Sequence, residues 1–204
     1  MSRILIFIFV ATGFCTQASA SLIVNGDFES GNTGFASSFT NAALNSGAKT
    51  YVVVTDPKLS HPSAASYGDH TSGSGLMMAV NGSTSVGDMV WSQTVSVSTG
   101  TTYDFGVWHS SWFLPPAGSL QLRINDVDVG PQFATTSPVA TWSQFTTTWD
   151  SQLSTSAKIE LYDMSTASTG NDYALDDITF SAVPEPTSFV MFGLALVGFA
   201  RRRK

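Results

Sequence analysis

The sequence is poor in the residues that most often carry catalysis or cross-links. It contains one cysteine, Cys15, and three histidines, His61, His70 and His109. A single cysteine excludes an intrachain disulfide and a zinc site built from several thiolates. Neither the HExxH pattern of zinc proteases nor the G-x-S-x-G pattern of serine hydrolases occurs. We therefore expect that the protein is not an enzyme.

Positive charge is scarce between residues 21 and 182. This stretch holds four Lys and Arg residues against fourteen Asp and Glu residues, a formal charge of −10. Because nucleic-acid binding requires a basic face, we expect no nucleic-acid partner. Such acidity suits divalent cations or neutral polymers, and it equally serves to keep an exported protein in solution.

The first twenty residues have the three parts of a secretory signal peptide. Met1-Ser2-Arg3 is a short positive region, Ile4 to Phe14 is an apolar core, and Ala18-Ser19-Ala20 is a cleavage site of the A-x-A type. The sequence therefore predicts a signal peptide over residues 1–20. Cys15 lies inside the segment removed, so the mature chain has no thiol.

The last 22 residues, 183–204, combine an extended motif, an apolar run and a basic end. Phe189 to Ala200 are twelve residues of predicted helix, which reach about 18 Å against a hydrocarbon core of about 30 Å. The basic end cannot cross the membrane and is expected to stay cytoplasmic. The motif and the basic end consist of Pro184, Glu185, Pro186, Arg201, Arg202, Arg203 and Lys204.

This three-part tail resembles the PEP-CTERM sorting signal of Gram-negative bacteria that secrete exopolysaccharide. The resemblance implies processing by an exosortase, transient anchoring in the inner membrane, and release to the cell surface or the extracellular space.

Residues 21–182 are long enough for one domain with a hydrophobic core. Apolar residues alternate with Ser and Thr at a period of two, which predicts short antiparallel strands and an all-β sandwich. Asn125-Asp126 predicts a hairpin turn, and Asn32 to Lys49 a surface loop. The predicted strands are Leu22–Val24, Tyr51–Thr55, Gly75–Val80, Met89–Val97, Thr102–His109, Leu120–Ile124, Phe145–Trp149, Ala157–Tyr162 and Tyr173–Phe180.

Two segments at opposite ends of this domain, Leu22–Gly31 and Tyr173–Ser181, read as the terminal strands of one sandwich. They resemble the galactose-binding-like jelly roll of many carbohydrate-binding modules, as do Gly100–Trp108 and Leu120–Val129. The resemblance implies a jelly-roll fold and carbohydrate binding.

The last of these segments contains the pair Asp176-Asp177. Alternation places Asp176 in phase with Ile178 and Phe180, so it should point inward, where a carboxylate needs a cation or several hydrogen-bond donors.

The resemblance also implies a structural Ca²⁺ between the first and last strands, since calcium takes oxygen ligands. The candidate ligands are Asp176 and Glu29, then Asp27 and Asn25. The alternative is that Asn25-Gly26-Asp27 only shapes a bend.

Sugar rings stack on exposed aromatic side chains, so aromatic residues outside the core are candidate ligand contacts. Trp112 and Phe113 are predicted to lie in an exposed loop ahead of a proline pair, and Tyr162 falls out of phase with Ile159 and Leu161. By the same alternation Trp91 is assigned to the core. We make no prediction for the positions of Trp108, Trp142 and Trp149.

The glycine-rich segment Tyr67–Gly75 places Asp69 beside His70. No histidine pair has metal-ligand spacing, so this segment is interpreted as a loop; a metal or catalytic role is the alternative.

The sequence thus predicts an exported cell-surface or matrix protein whose sandwich binds carbohydrate or exopolysaccharide. A structural matrix protein without a specific ligand is the main alternative, and a hydrolase is less favoured. A binder should present exposed aromatic rings beside polar groups on one face or rim.

Overall fold

A computed structural model of the chain describes residues 19–135 and 138–184. The apolar core of the predicted signal peptide and the predicted C-terminal helix lie outside the described residues. Residues 20–183 form one compact unit. Within the described ranges, no helix is both long enough and apolar enough to cross a membrane.

The described part of the chain is built from β-strands, with two 3-10 helices at Leu44–Ser46 and Pro57–Leu59. The strands are β1 Thr40–Asn41, β2 Thr50–Val54, β3 Met77–Asn81, β4 Asp88–Ser96, β5 Thr102–Phe113, β6 Ser119–Ile124, β7 Val127–Asp128, β8 Phe133–Ala134, β9 Ser143–Asp150, β10 Ser156–Asp163 and β11 Asp172–Ala182.

These strands form two sheets. The six-stranded sheet has the order β1-β2-β3-β11-β5-β9, and the five-stranded sheet has the order β4-β10-β6-β7, with β8 paired to β6. All neighbours are antiparallel except β1 and β2. The predicted all-β sandwich is confirmed.

The core lies between the two sheets and follows the period-two pattern. Tyr103, Phe105 and Val107 on β5 are buried, and the Tyr103 ring stacks on Phe180 of β11 with centroids 4.9 Å apart. Trp91 on β4 is fully buried, as its alternation predicted. Burial of aromatic and branched side chains along both sheets provides the main stabilisation of the fold.

The predicted first strand, Leu22–Val24, is not a strand. The backbone bends through this segment, and both Asn25 and Phe28 have a φ of 56°. The segment still contacts the last strand, because Leu22 N donates to Phe180 O at 2.7 Å and Ile178 N donates to Gly26 O at 2.9 Å.

The Asn125-Asp126 hairpin is confirmed. Both residues have positive φ, 52° and 64°, and Ile124 pairs with Val127 across the turn. Two positive φ values are characteristic of the type I′ turn that matches strand twist.

Strand β5 extends further than predicted, and the prediction that Trp112 lies in an exposed loop is wrong. Trp112 is 1% exposed and packs with Leu44, Ala64 and Ala79 in a second apolar cluster outside the six-stranded sheet. Its indole N–H donates to Val80 O at 3.0 Å. The strand ends only at Phe113, which is half-buried, because the proline pair begins two residues later.

The prediction that Asp176 points into the sandwich is also wrong. The register of β11 against β5 shifts between Asp176 and Thr179, and Asp177 has a φ of 44°. This bulge changes the phase, so that Asp176 pairs with Trp108 and lies on the outer face of the six-stranded sheet. Asp176 is nevertheless fully buried.

Candidate functional site

Four partly exposed rings, Tyr67, His70, Trp108 and Trp142, lie together on the outer face of the six-stranded sheet. We call them the aromatic cluster. The rings of His70 and Trp108 are stacked, with centroids 3.7 Å apart and planes at 15°. Trp142 meets His70 and Tyr67 edge to face, each at 5.9 Å.

Strand β5 fixes Trp108, the loop before β3 supplies Tyr67 and His70, and the segment just before β9 supplies Trp142. Since Phe105 and Val107 point into the core, Trp108 must point out of it. The loop after Tyr67 folds over Trp108, and the Trp142 indole N–H donates to Gly68 O at 3.2 Å. Tyr67 is bonded through its hydroxyl to Ser110 Oγ at 2.5 Å.

Two carboxylates of β11 hold this loop in place. Asp177 Oδ2 lies 2.6 Å from His70 Nδ1, and Asp177 Oδ1 accepts from Thr71 Oγ1 at 2.9 Å. Asp176 Oδ2 accepts from His70 N at 2.8 Å and Thr71 N at 3.3 Å. The bulge in β11 therefore places two neighbouring carboxylates where both bind the same loop.

Exposed polar side chains lie beside the aromatic cluster. Gln144 on β9 pairs with Trp108, while Thr146 and Thr179 pair with Gly106 from the strands on either side. A Cβ at position 106 would lie 2.8 Å from Thr179 Oγ1. Glycine at this position therefore leaves the sheet surface without a side chain beside Trp108. An apolar ring surface beside amide and hydroxyl groups is suited to stacking on a sugar ring while bonding its hydroxyls.

The structure does not bring the predicted sugar-contact residues together. Trp112 is buried and Phe113 packs against it, with ring centroids 6.4 Å apart. Tyr162 lies on the outer face of the five-stranded sheet, on the opposite side of the sandwich, with the Arg123 guanidinium 4.5 Å from its ring centroid. Tyr162 therefore cannot share a site with Trp112.

The predicted calcium ligands take part in separate hydrogen bonds. Glu29 Oε1 accepts from Leu76 N at 2.8 Å, and Asn25 Oδ1 accepts from Ser30 N at 2.8 Å. Asp27 Oδ1 accepts from Glu29 N at 3.4 Å, while the oxygens of Asp176 accept backbone N–H groups.

In the portion of the chain that the structure describes, no group of three or more His, Cys, Asp or Glu residues could hold a metal ion. Calcium stays a prediction from the family resemblance.

Burial changes the acidity of two carboxyl groups. It raises the pKa of Asp176 to about 7, against the effect of the backbone donors, and it raises the pKa of Asp172 to about 7, with Asp163 adding to the effect. A carboxyl group whose pKa is raised on folding stabilises the fold most below its unfolded pKa of about 4, and this contribution is lost as the pH rises through 7.

We therefore expect Asp172→Asn to gain stability relative to the wild type as the pH rises from 5 to 8. Asparagine can keep the bond that Asp172 Oδ1 accepts from Gly82 N at 3.1 Å, but it cannot ionise. The measurement is the difference in thermal midpoint between variant and wild type across this pH range.

The difference between variant and wild type is measured because His109 affects the stability of both proteins. Burial lowers the pKa of His109 to about 4, so its contribution to stability rises with pH, opposite to that of Asp172. Asp104→Asn, at an exposed position on β5, is the control and is measured over the same pH range. A difference between Asp172→Asn and the wild type that stays constant from pH 5 to 8 would contradict the prediction.

Comparison with known proteins identifies the tail and the fold. Residues 182–204 match the PEP-CTERM protein-sorting motif. No curated protein matches the chain.

Among solved structures, the chain is similar to the xylan-binding CBM22-1 domain of Xyn10C from Paenibacillus barcinonensis, at 13% identity and a TM-score of 0.53, over 83% of this chain and 100% of that one. It is similar to TmCBM61, solved in complex with β-1,4-galactotriose, at 18% identity and a TM-score of 0.53, over 80% and 99% of the two chains.

The chain is also similar to part of the arabinose-bound α-L-arabinofuranosidase MgGH51, at 12% identity and a TM-score of 0.56, over 80% of this chain but 26% of the enzyme. At these identities the likeness shows a shared fold. The chain thus carries a jelly-roll domain with the fold of carbohydrate-binding modules, followed by a PEP-CTERM sorting motif.

Proposed function

We propose that this protein is exported and that its jelly roll binds a neutral polysaccharide at the aromatic cluster. The observation that carries the proposal is the group of partly exposed rings on Trp108, Trp142 and His70, beside the exposed side chains of Gln144 and Thr179. Flat apolar rings can stack on the C–H face of a sugar, while the neighbouring polar groups can bond its hydroxyls.

Charge favours a neutral ligand over an acidic one. Asp177 lies within the site, Asp104 is exposed further along β5, and residues 21–182 carry a formal charge of −10. A polymer of uronic acids or sulfated sugars would be repelled at low ionic strength.

The sorting motif supports a location outside the cell for this binding. A PEP-CTERM motif implies export and transient anchoring in the membrane before processing. We propose that an exosortase performs this processing, and that the released protein remains near the cell by binding the exopolysaccharide outside it.

The test is binding to an array of neutral and acidic polysaccharides, followed by titration of the best ligand by calorimetry. Trp108→Ala should weaken binding at least tenfold, about 1.4 kcal/mol, because it removes the central ring of the cluster. Tyr162→Ala is the matched control, since Tyr162 is a partly exposed aromatic residue on the opposite face, and it should bind like the wild type.

The opposite pattern, with binding lost in Tyr162→Ala and kept in Trp108→Ala, would move the site to the five-stranded sheet. A folded protein that binds no polysaccharide would favour a structural matrix protein instead.

A further inference from the structure

In the part of the chain that the structure describes, one edge of the five-stranded sheet is unpaired along half of its length. Strand β4 is at this edge, and Ser92 exchanges two backbone hydrogen bonds of 2.9 Å with Ala36 on its outer side. The backbone groups of alternate residues point the same way, so those of Thr94 and Ser96 also point off the edge. Val97 supports this assignment of directions, because its N–H points to the other side of β4 and donates to Thr155 O.

No strand within residues 19–135 or 138–184 pairs with β4 on this side beyond Ser92. The segment Gln93–Val97, which we call the β4 edge, thus presents two N–H and two C=O groups. Unpaired edges of this kind are templates for pairing with another strand.

An apolar groove runs along the β4 edge. It has a volume of about 500 Å³ and is lined by Leu22, Val24, Gly34 and the segment Gln93–Ser96. Leu22 and Val24 are 38% and 66% exposed. Apolar residues adjacent to unpaired backbone provide the two parts of a strand-addition site, hydrogen bonds and a side-chain pocket.

The β4 edge carries no charged residue and no proline, two features that protect edge strands from pairing. Natural edge strands carry charged residues or proline, but Met89 to Val97 contains neither, and none of the groove residues is charged. This is notable in a domain with a formal charge of −10, since two copies would repel each other across most other contacts. An uncharged edge also offers nothing to select a charged partner.

We propose that a second copy of this chain pairs antiparallel with the β4 edge. Thr94 of one copy would pair with Ser96 of the other, and the converse pair would complete a set of four hydrogen bonds. The two-fold axis then passes beside Val95, which lies opposite its own copy. Such an isologous contact is self-complementary and closes as a dimer.

This pairing would join the two five-stranded sheets into one continuous sheet. It would cover the exposed Leu22 and Val24 of both copies, and removing their apolar surface from water would favour association. The aromatic cluster is on the other sheet and would stay accessible in both copies. The inference does not depend on the proposed function, although two sites in one dimer would raise the avidity for a polymer.

Cysteine cross-linking tests the register directly. In full-length protein with Cys15→Ser, the variant Val95→Cys should form a disulfide-linked dimer under mild oxidation, because opposed residues near the axis are within disulfide distance. Val127→Cys is the matched control: Val127 is 63% exposed and lies in β7, at the opposite edge of the same sheet. We expect Val95→Cys to cross-link at least tenfold faster.

A second substitution separates strand pairing from chance contact. Adding Thr94→Pro removes an N–H that points off the edge, where proline is tolerated, and should slow the cross-linking of Val95→Cys at least tenfold. Adding Thr94→Val keeps the N–H and should leave the rate unchanged. Equal cross-linking rates for Val95→Cys and Val127→Cys, or no effect of Thr94→Pro in a variant with an unchanged thermal midpoint, would overturn the proposal.

Discussion

Replacing Trp112 with alanine should lower the free energy of unfolding by about 3 to 5 kcal/mol, the range for truncating a buried tryptophan. The indole is 1% exposed and joins β5 to Leu44 and Ala64 outside the six-stranded sheet. The loss also leaves Val80 O without the donor that it has at 3.0 Å. Denaturant unfolding monitored by circular dichroism measures the change.

Trp108→Ala is the matched comparison, because Trp108 lies on the same strand but is partly exposed. It should cost less than half as much stability as Trp112→Ala. Equal losses would contradict the assignment of Trp112 to a core and Trp108 to a surface site. Trp112→Ala is also a poor test of binding. Loss of the folded domain would weaken binding without any change at the aromatic cluster.

Replacing Gly26 with alanine should cost about 3 kcal/mol, at the upper end of the range for overpacking. A Cβ at this position would lie 2.0 Å from the backbone oxygen of Ile178, so the first segment would have to move away from β11. That movement would break the bond of 2.9 Å from Ile178 N to Gly26 O. The measurement is again the free energy of unfolding.

Gly31→Ala is the control in the same segment. A Cβ there meets nothing within 4 Å, although Gly31 has a φ of 74°, so only backbone strain of about 1 kcal/mol is expected. If Gly26→Ala were no worse than Gly31→Ala, the close approach of the first segment to the last strand would not be stabilising.

Much of the fold could be predicted from alternation alone. Buried residues at every second position of β5 and β10 predict strands even when the neighbouring strands are unknown. The Asn125-Asp126 turn is predictable because Asn and Asp tolerate positive φ. The first predicted strand failed because its segment, although it contacts β11, bends around Asn25 and Phe28, where φ is positive. Apolar residues beside a sheet do not reveal whether the backbone is extended.

Two errors at the candidate site have physical causes. A one-residue bulge after Asp176 reverses the face on which this side chain lies relative to Ile178 and Phe180. The alternation of apolar residues in the sequence does not show where such a bulge will occur. The sequence predicts a loop at Trp112 because the predicted strand ends at His109, whereas β5 continues for four more residues, to Phe113.

Trp108 could have been found by the alternation that placed Phe105 and Val107 in the core, since an even position on the same strand must face out. The stacking of His70 on Trp108 could not have been found this way. It depends on a loop held by Asp176 and Asp177, more than 100 positions away in the chain.

The position of β11 has a consequence for the order of events during export. This strand is the last in the chain, ending at Ala182, yet it lies in the middle of the six-stranded sheet, between β3 and β5. The sheet therefore cannot close until translation and translocation have delivered residue 182, which is also where the sorting motif begins. The domain therefore cannot complete its fold before β11 is available, and the sorting motif follows this strand directly in the chain.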